Sequence, residues 1–363
     1  MMQRAIPYMQ LRGGSSKGLY FKANDLPADE VLRNRVVIAA MEGVGLGDPR
    51  QIDGLGGADS LTSKVAIVSL SLREDADLDY LFLQVVIGGG YISTVQNCGN
   101  ILAGVLPFAI ESGLWEAQDG ETTATIHMVN SGGLCEVTVQ TPNRRVMYAG
   151  EATVDGVPGT AAPIICNYLD VAGSATGSLL PTGNVVDVIE GVTVTAVDNG
   201  MPVVVLRATD LDITGYESKA ELDANDVLKA RLEATRLAIG PAMNLGDVTH
   251  KTVPKMCLIS PPNNGGYVNT RTFIPHVCHA AIGVLGAVSV ATACLLPGSV
   301  AAGIVQLPGN GRTLLSIEHP TGEFSVDLDM AVHGDTFEIR KSGAMRTARL
   351  MSRGELFIPA GIW

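Results

Sequence analysis

The sequence predicts an α+β protein made of two similar halves, in each of which a curled, mostly antiparallel or mixed sheet is wrapped around a central apolar helix. Three observations lead to this class. The stretches 98–113 and 283–298 are apolar on all sides and end at a glycine, as a buried helix does. Short alternating runs with hairpin spacing indicate strands. The order of these elements occurs twice along the chain.

The repeat consists of four pairs of matching segments. In order, they are a strand running into an Asp-Leu turn, a helix with an acidic first turn, a strand that a lysine enters, and the apolar helix. The pairs are 18–26 with 203–211, 30–35 with 226–231, 63–68 with 254–259, and 98–113 with 283–298. Four pairs in register are unlike a chance similarity, although repeats of this length are not solenoid units.

Further strands are expected between these segments, and a turn-rich stretch at 179–184 separates the halves. The expected strands are 80–87, 123–129, 135–139, 192–197 and 323–328. We expect an N-terminal half, 1–182, with Lys64 and Cys98, and a C-terminal half, 183–363, with Lys255 and Arg271. The active site is expected in the cleft between them. Pro107 predicts a kink in the first apolar helix.

The composition restricts the function. A net charge of −12 argues against a nucleic-acid surface, so an anionic substrate would need a local positive patch. The N-terminus lacks an apolar signal-peptide region, and six scattered cysteines form no CxxC pair, which favours a reduced, cytoplasmic setting. The uncharged stretch 280–296 is short, rich in small residues and without basic flanks, which favours a buried helix over a membrane span.

Cys98, Gly99 and Asn100 precede the first apolar helix. The first backbone N–H groups of a helix are unpaired and its dipole is positive there, so this segment is suited to hold a carboxylate or an enolate oxygen. A thiol in that position is a candidate acid or base. The alternative is a buried cysteine that packs as a small hydrophobic residue.

Lys64 and Lys255 occupy equivalent places, each just before an apolar strand. A lysine that enters a buried strand must be paired or neutral, and a neutral amine is a usable base. The alternative for either residue is an exposed lysine at the end of a strand.

Two glycine-rich loops carry hydroxyl groups. The loop 12–18 contains Arg12, Ser15, Ser16 and Lys17, and the loop 54–60 ends at Ser60, close to Lys64. The loop 12–18 lacks the spacing of a nucleotide-binding loop, but it could cradle a carboxylate through its backbone N–H groups and Ser15 or Ser16. The alternative is an ordinary flexible turn.

Arg271, His276, Cys278 and His279 lie just ahead of the second apolar helix. Arg271 is suited to grip a carboxylate through two N–H groups. The other three are too close together to supply three metal ligands easily, so histidines that face substrate or core are favoured over a metal site.

Several of these segments together resemble a known family over nearly the whole chain. They are Arg12–Gly18, Gly56–Lys64, Gln96–Asn100, Asn269–Arg271 and Gly286–Ala287. They resemble the family of 2-methylaconitate cis–trans isomerases and 4-oxalomesaconate tautomerases, a PrpF-like family within the diaminopimelate epimerase-like superfamily. The stretches 198–203, 243–248 and 318–324 look more like the oxalomesaconate branch.

The resemblance implies a diaminopimelate epimerase-like fold and no cofactor or metal. Epimerases of that superfamily use one thiol from each half. Cys98 matches the first thiol, but the second position is Gly283, so two-face epimerisation is not expected. A proton shift along one face of an allyl system needs one base, and in the isomerase branch the residue that matches Lys64 takes that role.

The expected activity is therefore a 1,3-proton transfer that moves a double bond in 4-oxalomesaconate, a tricarboxylate keto acid, in the 4,5-cleavage catabolism of aromatic acids such as protocatechuate, gallate and lignin products. Lys64 and Cys98 are the expected catalytic residues, with Arg271 and the backbone at 98–100 stabilising the dienolate. The expected substrate-binding residues are Arg12, Ser15, Ser16, Lys17, Ser60, Asn97, Gly99, Asn100, Lys255, Arg271 and His276.

Alternatives remain at this point. They are a 2-methylaconitate isomerase of propionate catabolism, an amino-acid or hydroxyproline epimerase, and a small-acid binding protein on the same fold. The role of Cys98, as acid or base or as pocket lining, and the choice between an enol and a keto alkene product also stay open. We expect no nucleic-acid or membrane partner, and a homodimer is compatible with the sequence.

Overall fold

The chain divides into two compact units in the computed structural model, which describes residues 3–45, 47–94, 98–305, 311–334 and 336–363. Unit 1 is Met1–Cys166 with Met345–Trp363, and unit 2 is Asn167–Ala344. The C-terminal segment belongs to unit 1 because β17 (Ala348–Pro359) pairs antiparallel with the first strand along its whole length. This division therefore differs from the expected one at residue 182, and the expected cleft between the halves stays a prediction.

Unit 1 holds a mixed sheet and three helices. Its elements before residue 166 are β1 (Gln3–Gly13), β2 (Ser16–Lys22), α1 (Glu30–Glu42), β3 (Lys64–Leu70), β4 (Leu78–Val86), β5 (Tyr91–Ser93), α2 (Gly99–Leu102), α3 (Val105–Glu111), β6 (Gly120–Met128) and β7 (Gly133–Thr141). The pairs β1–β2, β3–β4 and β6–β7 are antiparallel, whereas β2–β3 and β4–β6 are parallel. The strand β8 (Ile164–Leu169) follows at the junction of the units.

Unit 2 repeats this pattern. Its elements are β9 (Asp187–Ile189), β10 (Val192–Asp198), β11 (Pro202–Arg207), α4 (Lys219–Ala224), α5 (Asp226–Ile239), β12 (Lys255–Ser260), β13 (Val268–Phe273), α6 (Val284–Leu295), β14 (Gly311–His319), β15 (Gly322–His333) and β16 (Thr336–Arg346). The pairs β10–β11, β12–β13 and β14–β15 are antiparallel, and β11–β12 and β13–β14 are parallel. The internal repeat expected from the sequence is thus confirmed at the level of strand pairing.

The sheet of each unit separates two layers of apolar side chains. Alternate residues of a strand point to opposite faces. In unit 1, Val65, Ile67 and Leu83 pack against α1 on the outer face. In unit 2, Met256 and Leu258 pack against α4 and α5 in the same way. The residues in between face the other side of the sheet.

The first central helix is broken rather than kinked. It consists of α2 and α3, separated at Ala103 and Gly104. A Cβ atom at Gly104 would lie 2.3 Å from the hydroxyl oxygen of Tyr20, which donates a hydrogen bond to the carbonyl of Ile101. Pro107 lies in the first turn of α3, where an N–H group is not needed for the helix. The break therefore accounts for the proline.

The second central helix, α6, is continuous and almost wholly buried, as predicted from its apolar run. Its residues from Gly286 to Leu295 are all buried. In the described part of the chain, no helix is both long enough and apolar enough to span a membrane.

Candidate active site

Lys64, the predicted base, is a buried cation in unit 1. It is the first residue of β3 and only 6% exposed. Its Nζ atom donates a 2.8 Å hydrogen bond to Oε1 of Gln84 and lies 5.2 Å from the ring centre of Phe82. Gln84 is the register partner of Lys64 across the β3–β4 ladder, so both side chains project from the same face of the sheet. This is the face opposite α1.

The glycine-rich turn between β1 and β2 lies against the start of α2. The amide of Asn100 donates a hydrogen bond to Oγ of Ser15 at 3.1 Å. A Cβ atom at Gly14 would lie 2.1 Å from Oδ1 of Asn100, so only glycine allows this approach. Gly18, at the other end of the turn, is the register partner of Lys64 in the parallel β2–β3 pair. The turn therefore joins the Asn100 and Lys64 segments.

Cys98 lies at the start of α2 and is the cysteine with partial exposure; the other five are buried. Its carbonyl accepts hydrogen bonds from the backbone of Leu102 and from the hydroxyl of Tyr80 at 3.2 Å. Tyr80 belongs to β4 and shares the sheet face of Gln84. Cys98 and Lys64 thus lie on the same side of the unit 1 sheet. Because α2 has only four residues, its dipole is weaker than the sequence suggested.

The polar residues of the two loops have different surroundings. The hydroxyl of Ser16 is buried and has no hydrogen-bond partner among the described residues. Arg12 donates through Nη1 to the carbonyls of Gly14 and Thr347 and to Oγ1 of Thr347, so it braces the turn. The backbone N–H of Lys17 donates to the carbonyl of Leu61, which ties the two loops together.

Gly99 is the first residue of α2, next to Asn100. Ser60 is exposed, and its carbonyl accepts from the side-chain amide of Gln84. Asn97, also predicted to bind substrate, lies outside the described residues. In unit 1, the loops 12–18 and 54–60 therefore lie next to Lys64 and the start of α2.

Lys255 opens β12 in unit 2, as Lys64 opens β3. It is partly buried, and burial together with the positive charge of Arg236 lowers the pKa of its amine. Burial also lowers the pKa of the neighbouring His279, which the charge of Lys255 lowers further. Nδ1 of His279 accepts a hydrogen bond from the backbone of Ala281, so the neutral ring carries its proton on Nε2.

Arg271 lies on the opposite face of the β12–β13 ladder from Lys255. Its register partner is Leu258, and residues 255 and 258 of a strand point to opposite faces. The guanidinium donates to the carbonyls of Glu217 and Thr270 and to Oδ1 of Asn269. These bonds tie Arg271 to the segment before α4, and its role in binding substrate stays a prediction.

His276 is exposed at the surface of unit 2. Its side chain is 63% exposed in a surface turn, 3.7 Å from the carboxylate of Glu233. Cys278 is buried, and burial raises the pKa of its thiol to about 11. In the described ranges, no three His, Cys, Asp or Glu side chains form a metal-binding group.

Two glutamines near Lys64 were missed in the sequence. Gln84 contacts Lys64 directly, and Oε1 of Gln51 accepts from the backbone of Ala58 and the hydroxyl of Ser63. A signal for Gln84 was present, because it continues the buried face of β4 formed by Tyr80 and Phe82. A polar residue in such a series needs a buried partner.

Comparisons with known proteins identify the family of the chain. The chain matches the family model described as PrpF protein over residues 3–359. It is 55% identical over 363 residues to the 4-oxalomesaconate tautomerase of Pseudomonas putida, covering 100% of this chain and 99% of that protein. It is 56% identical over 354 residues to the (4E)-oxalomesaconate Delta-isomerase of a Novosphingobium species, covering 98% of each.

Comparison with solved structures identifies the fold. A methylitaconate-delta-isomerase has a TM-score of 0.88 at 32% identity, covering 99% of this chain and 97% of that chain. A hydroxyproline epimerase from Agrobacterium vitis has a TM-score of 0.50 at 13% identity, covering 98% and 94%, and shows the fold alone. The predicted α+β, epimerase-like fold is confirmed. Because the family model matches residues 3–359 and two relatives are more than half identical over nearly the whole chain, the chain belongs to the PrpF family and is an isomerase.

Proposed function

We propose that this isomerase moves a carbon–carbon double bond in 4-oxalomesaconate by a 1,3-proton transfer, with Lys64 as the base. The relatives from Pseudomonas putida and the Novosphingobium species carry this substrate in their names and match the chain end to end. The observation that carries the mechanism is the placement of Lys64, a residue that is only 6% exposed and lies on the same sheet face as the Cys98 segment.

The proton transfer has two steps. The unprotonated amine of Lys64 removes a proton from the carbon next to the conjugated system, and the electron pair moves into a dienolate. The ammonium group then returns a proton two carbons away, so the double bond shifts and no atoms are gained or lost. A positioned base contributes about 10²–10⁴-fold to the rate of such a reaction.

The glycine-rich turn of unit 1 is suited to bind a carboxylate of the substrate. The buried hydroxyl of Ser16 has no partner in the described part of the chain, and leaving such a group unpaired costs about 1–3 kcal/mol. A carboxylate oxygen would satisfy it. The backbone at Gly99 and Asn100 is suited to hold the developing oxyanion, and the ammonium group of Lys17 adds positive charge.

Lys64 and Cys98, the two candidate catalytic residues, have different roles in this proposal. Lys64 is assigned the proton transfer, because one base on one face is enough for an allylic shift. Cys98 is assigned to the lining of the same pocket, where its thiol contacts the substrate. Lys255 is assigned to binding substrate carboxylates in unit 2, in place of Arg271 and His276.

The proposal extends to the setting of the enzyme. We assign it to the catabolism of aromatic acids, including lignin products, in the cytoplasm, with no cofactor in the chemical step and a homodimer as its assembly. The negative net charge of the chain supports a substrate held by a local positive cluster rather than by the general surface.

A substrate comparison tests the proposal. Turnover is measured with 4-oxalomesaconate, 2-methylaconitate and trans-4-hydroxyproline under the same conditions. The proposal expects kcat/KM for 4-oxalomesaconate to exceed that for 2-methylaconitate by at least about tenfold, one 1.4 kcal/mol step. No turnover of hydroxyproline is expected, because Gly283 supplies no second thiol. Preference for 2-methylaconitate would overturn the substrate assignment.

A further inference from the structure

The side-chain amide of Gln84 has a fixed orientation. Its Nε2 atom lies 3.2 Å from the carbonyl of Ser60, 3.0 Å from that of Ser63 and 3.3 Å from that of Val85. Carbonyl oxygens only accept hydrogen bonds, so the NH₂ end of the amide must face them. The acceptor end, Oε1, is therefore turned toward Nζ of Lys64, 2.8 Å away.

The strand pairing places the side chains of Lys64 and Gln84 next to each other. Lys64 and Gln84 are direct register partners in an antiparallel pair, which brings their side chains together on one face. Phe82 lies two residues before Gln84 on that face, and its ring forms an apolar wall 5.2 Å from Nζ. The amine thus has one polar protein partner among the described residues, and that partner is neutral.

We propose that Gln84 is a positioning residue for Lys64, whose neutral acceptor oxygen takes one N–H of the amine and so directs its lone pair. The inference rests on the proposed role of Lys64 as the base. An unprotonated amine has two N–H groups and one lone pair. When one N–H is held by Oε1, the direction in which the lone pair can accept a proton is restricted.

The choice of an amide over a carboxylate has an electrostatic consequence. A carboxylate beside an amine favours the ammonium form and raises its pKa by about 1–3 units. It would also place an acceptor against the three carbonyls that now receive the NH₂ group. The amide supplies the same acceptor without a charge, so it orients the lysine and leaves the basic form accessible.

Two variants of Gln84 separate these effects. Gln84→Glu keeps an acceptor near Lys64 and adds a charge, whereas Gln84→Met keeps the length of the side chain and removes the hydrogen bond. Gln140→Met is the matched control, because Gln140 is likewise hydrogen-bonded to its register partner, as donor to Glu121, but lies on the exposed face of β7. Folding of each variant is checked by its thermal midpoint.

The kinetic readout is the pH profile of kcat/KM, whose acid limb reports the base of the free enzyme. For Gln84→Glu, the acid limb is expected to move up by about 1–3 pH units. For Gln84→Met, kcat is expected to fall by about 10²-fold, as for a misplaced catalytic group, with a smaller change in KM. Gln140→Met is expected to match the wild type.

A failure of the role proposed for Gln84 can be distinguished from a failure of the role proposed for Lys64. A Lys64→Met enzyme that remains active refutes Lys64 as the base. If Lys64→Met is inactive but folded Gln84→Glu keeps the wild-type acid limb, only the role of Gln84 is refuted. A Gln84→Met enzyme with unchanged kcat and a raised KM would likewise refute positioning, because it would assign Gln84 to the loop at Ser60 alone.

Discussion

Lys64 and Lys255 hold the same place in the two units but have different neighbours. Each opens the strand that pairs parallel with the strand before it. Lys64 is held by the neutral amide of Gln84, whereas Lys255 lies near two other groups that carry or can carry positive charge, Arg236 and His279. The repeat therefore preserves the backbone position of the lysine, and the side chains around it decide what the lysine does.

The central helices differ in a related way. In unit 1 the helix is broken at Gly104 and begins beside Cys98, whereas α6 in unit 2 is continuous and begins after Gly283. The broken helix is the one whose start contacts the glycine-rich turn. The proposed function assigns the chemical step to unit 1 and the binding of substrate carboxylates by Lys255 to unit 2.

The largest effect is expected from removing each lysine. Lys64→Met should lower kcat by about 10²–10⁴-fold, because the base is lost. Lys255→Met should chiefly raise KM, because a carboxylate contact is lost. Steady-state kinetics of both variants measure the difference. An equal loss of kcat in Lys255→Met would mean that the two units share the chemistry.

The two central helices should respond oppositely to alanine. At Gly104 a Cβ atom would meet the buried hydroxyl of Tyr20 at 2.3 Å, so Gly104→Ala should lower the free energy of unfolding by about 1–3 kcal/mol. At Gly286 the nearest atom to a Cβ, apart from the backbone of the helix itself, would be Cγ1 of Ile282 at 4.0 Å, so Gly286→Ala should raise the free energy of unfolding by up to about 1 kcal/mol. Urea denaturation measures both values. Equal responses would show that the break at Gly104 has no packing cause.

A thiol can be added where unit 2 lacks one. Gly283 is exposed, has an ordinary backbone conformation, and a Cβ there would meet no atom within 4 Å. Gly283→Cys should therefore change stability by no more than about 0.5 kcal/mol. Titration of the folded protein with a thiol reagent should find one fast-reacting group in the wild type, Cys98, and two in the variant. A fast group that persists in Cys98→Ser would contradict the assigned burial of the other cysteines.

The smallest expected effect concerns pH. The pKa of His279 is lowered in the folded chain, so folding favours the neutral ring. That contribution is present above the unfolded value of about 6.5 and is lost as the pH falls below it. Between pH 7.5 and 5.5, the wild type should lose slightly more stability than His279→Asn, which keeps an acceptor for the backbone of Ala281. A steeper loss in the variant would reverse the sign and contradict the account.

Much of the fold could be predicted because its signals are local. Alternation indicated the strands, the uncharged run indicated α6, and the matching lysines indicated the repeat. The break at Gly104 could not be predicted, since it depends on Tyr20 reaching the carbonyl of Ile101 from a distant strand. Pro107 predicted an irregularity in this helix, and the structure shows that the irregularity is a break.

The candidate site was predictable in part for the same reason. Lys64 and the glycine-rich turn are recognisable from residue type and place, but their partners depend on strand register. Gln84 meets Lys64 because the β3–β4 pairing sets them opposite each other. Arg271 is predicted to bind substrate because it can grip a carboxylate and lies just ahead of the second apolar helix, yet its register partner, Leu258, places it on the outer face. A shift of the β12–β13 register by one residue would have placed Arg271 on the same face of the sheet as Lys255.

Isomerisation of 4-oxalomesaconate in D₂O, followed by NMR, tests most directly whether a single base in unit 1 moves the proton. The wild type and Lys255→Met are expected to incorporate one deuteron, at the carbon that gains the proton. Lys64→Met should incorporate none on the same time scale. Deuterium incorporation by Lys64→Met at the wild-type rate would contradict the account.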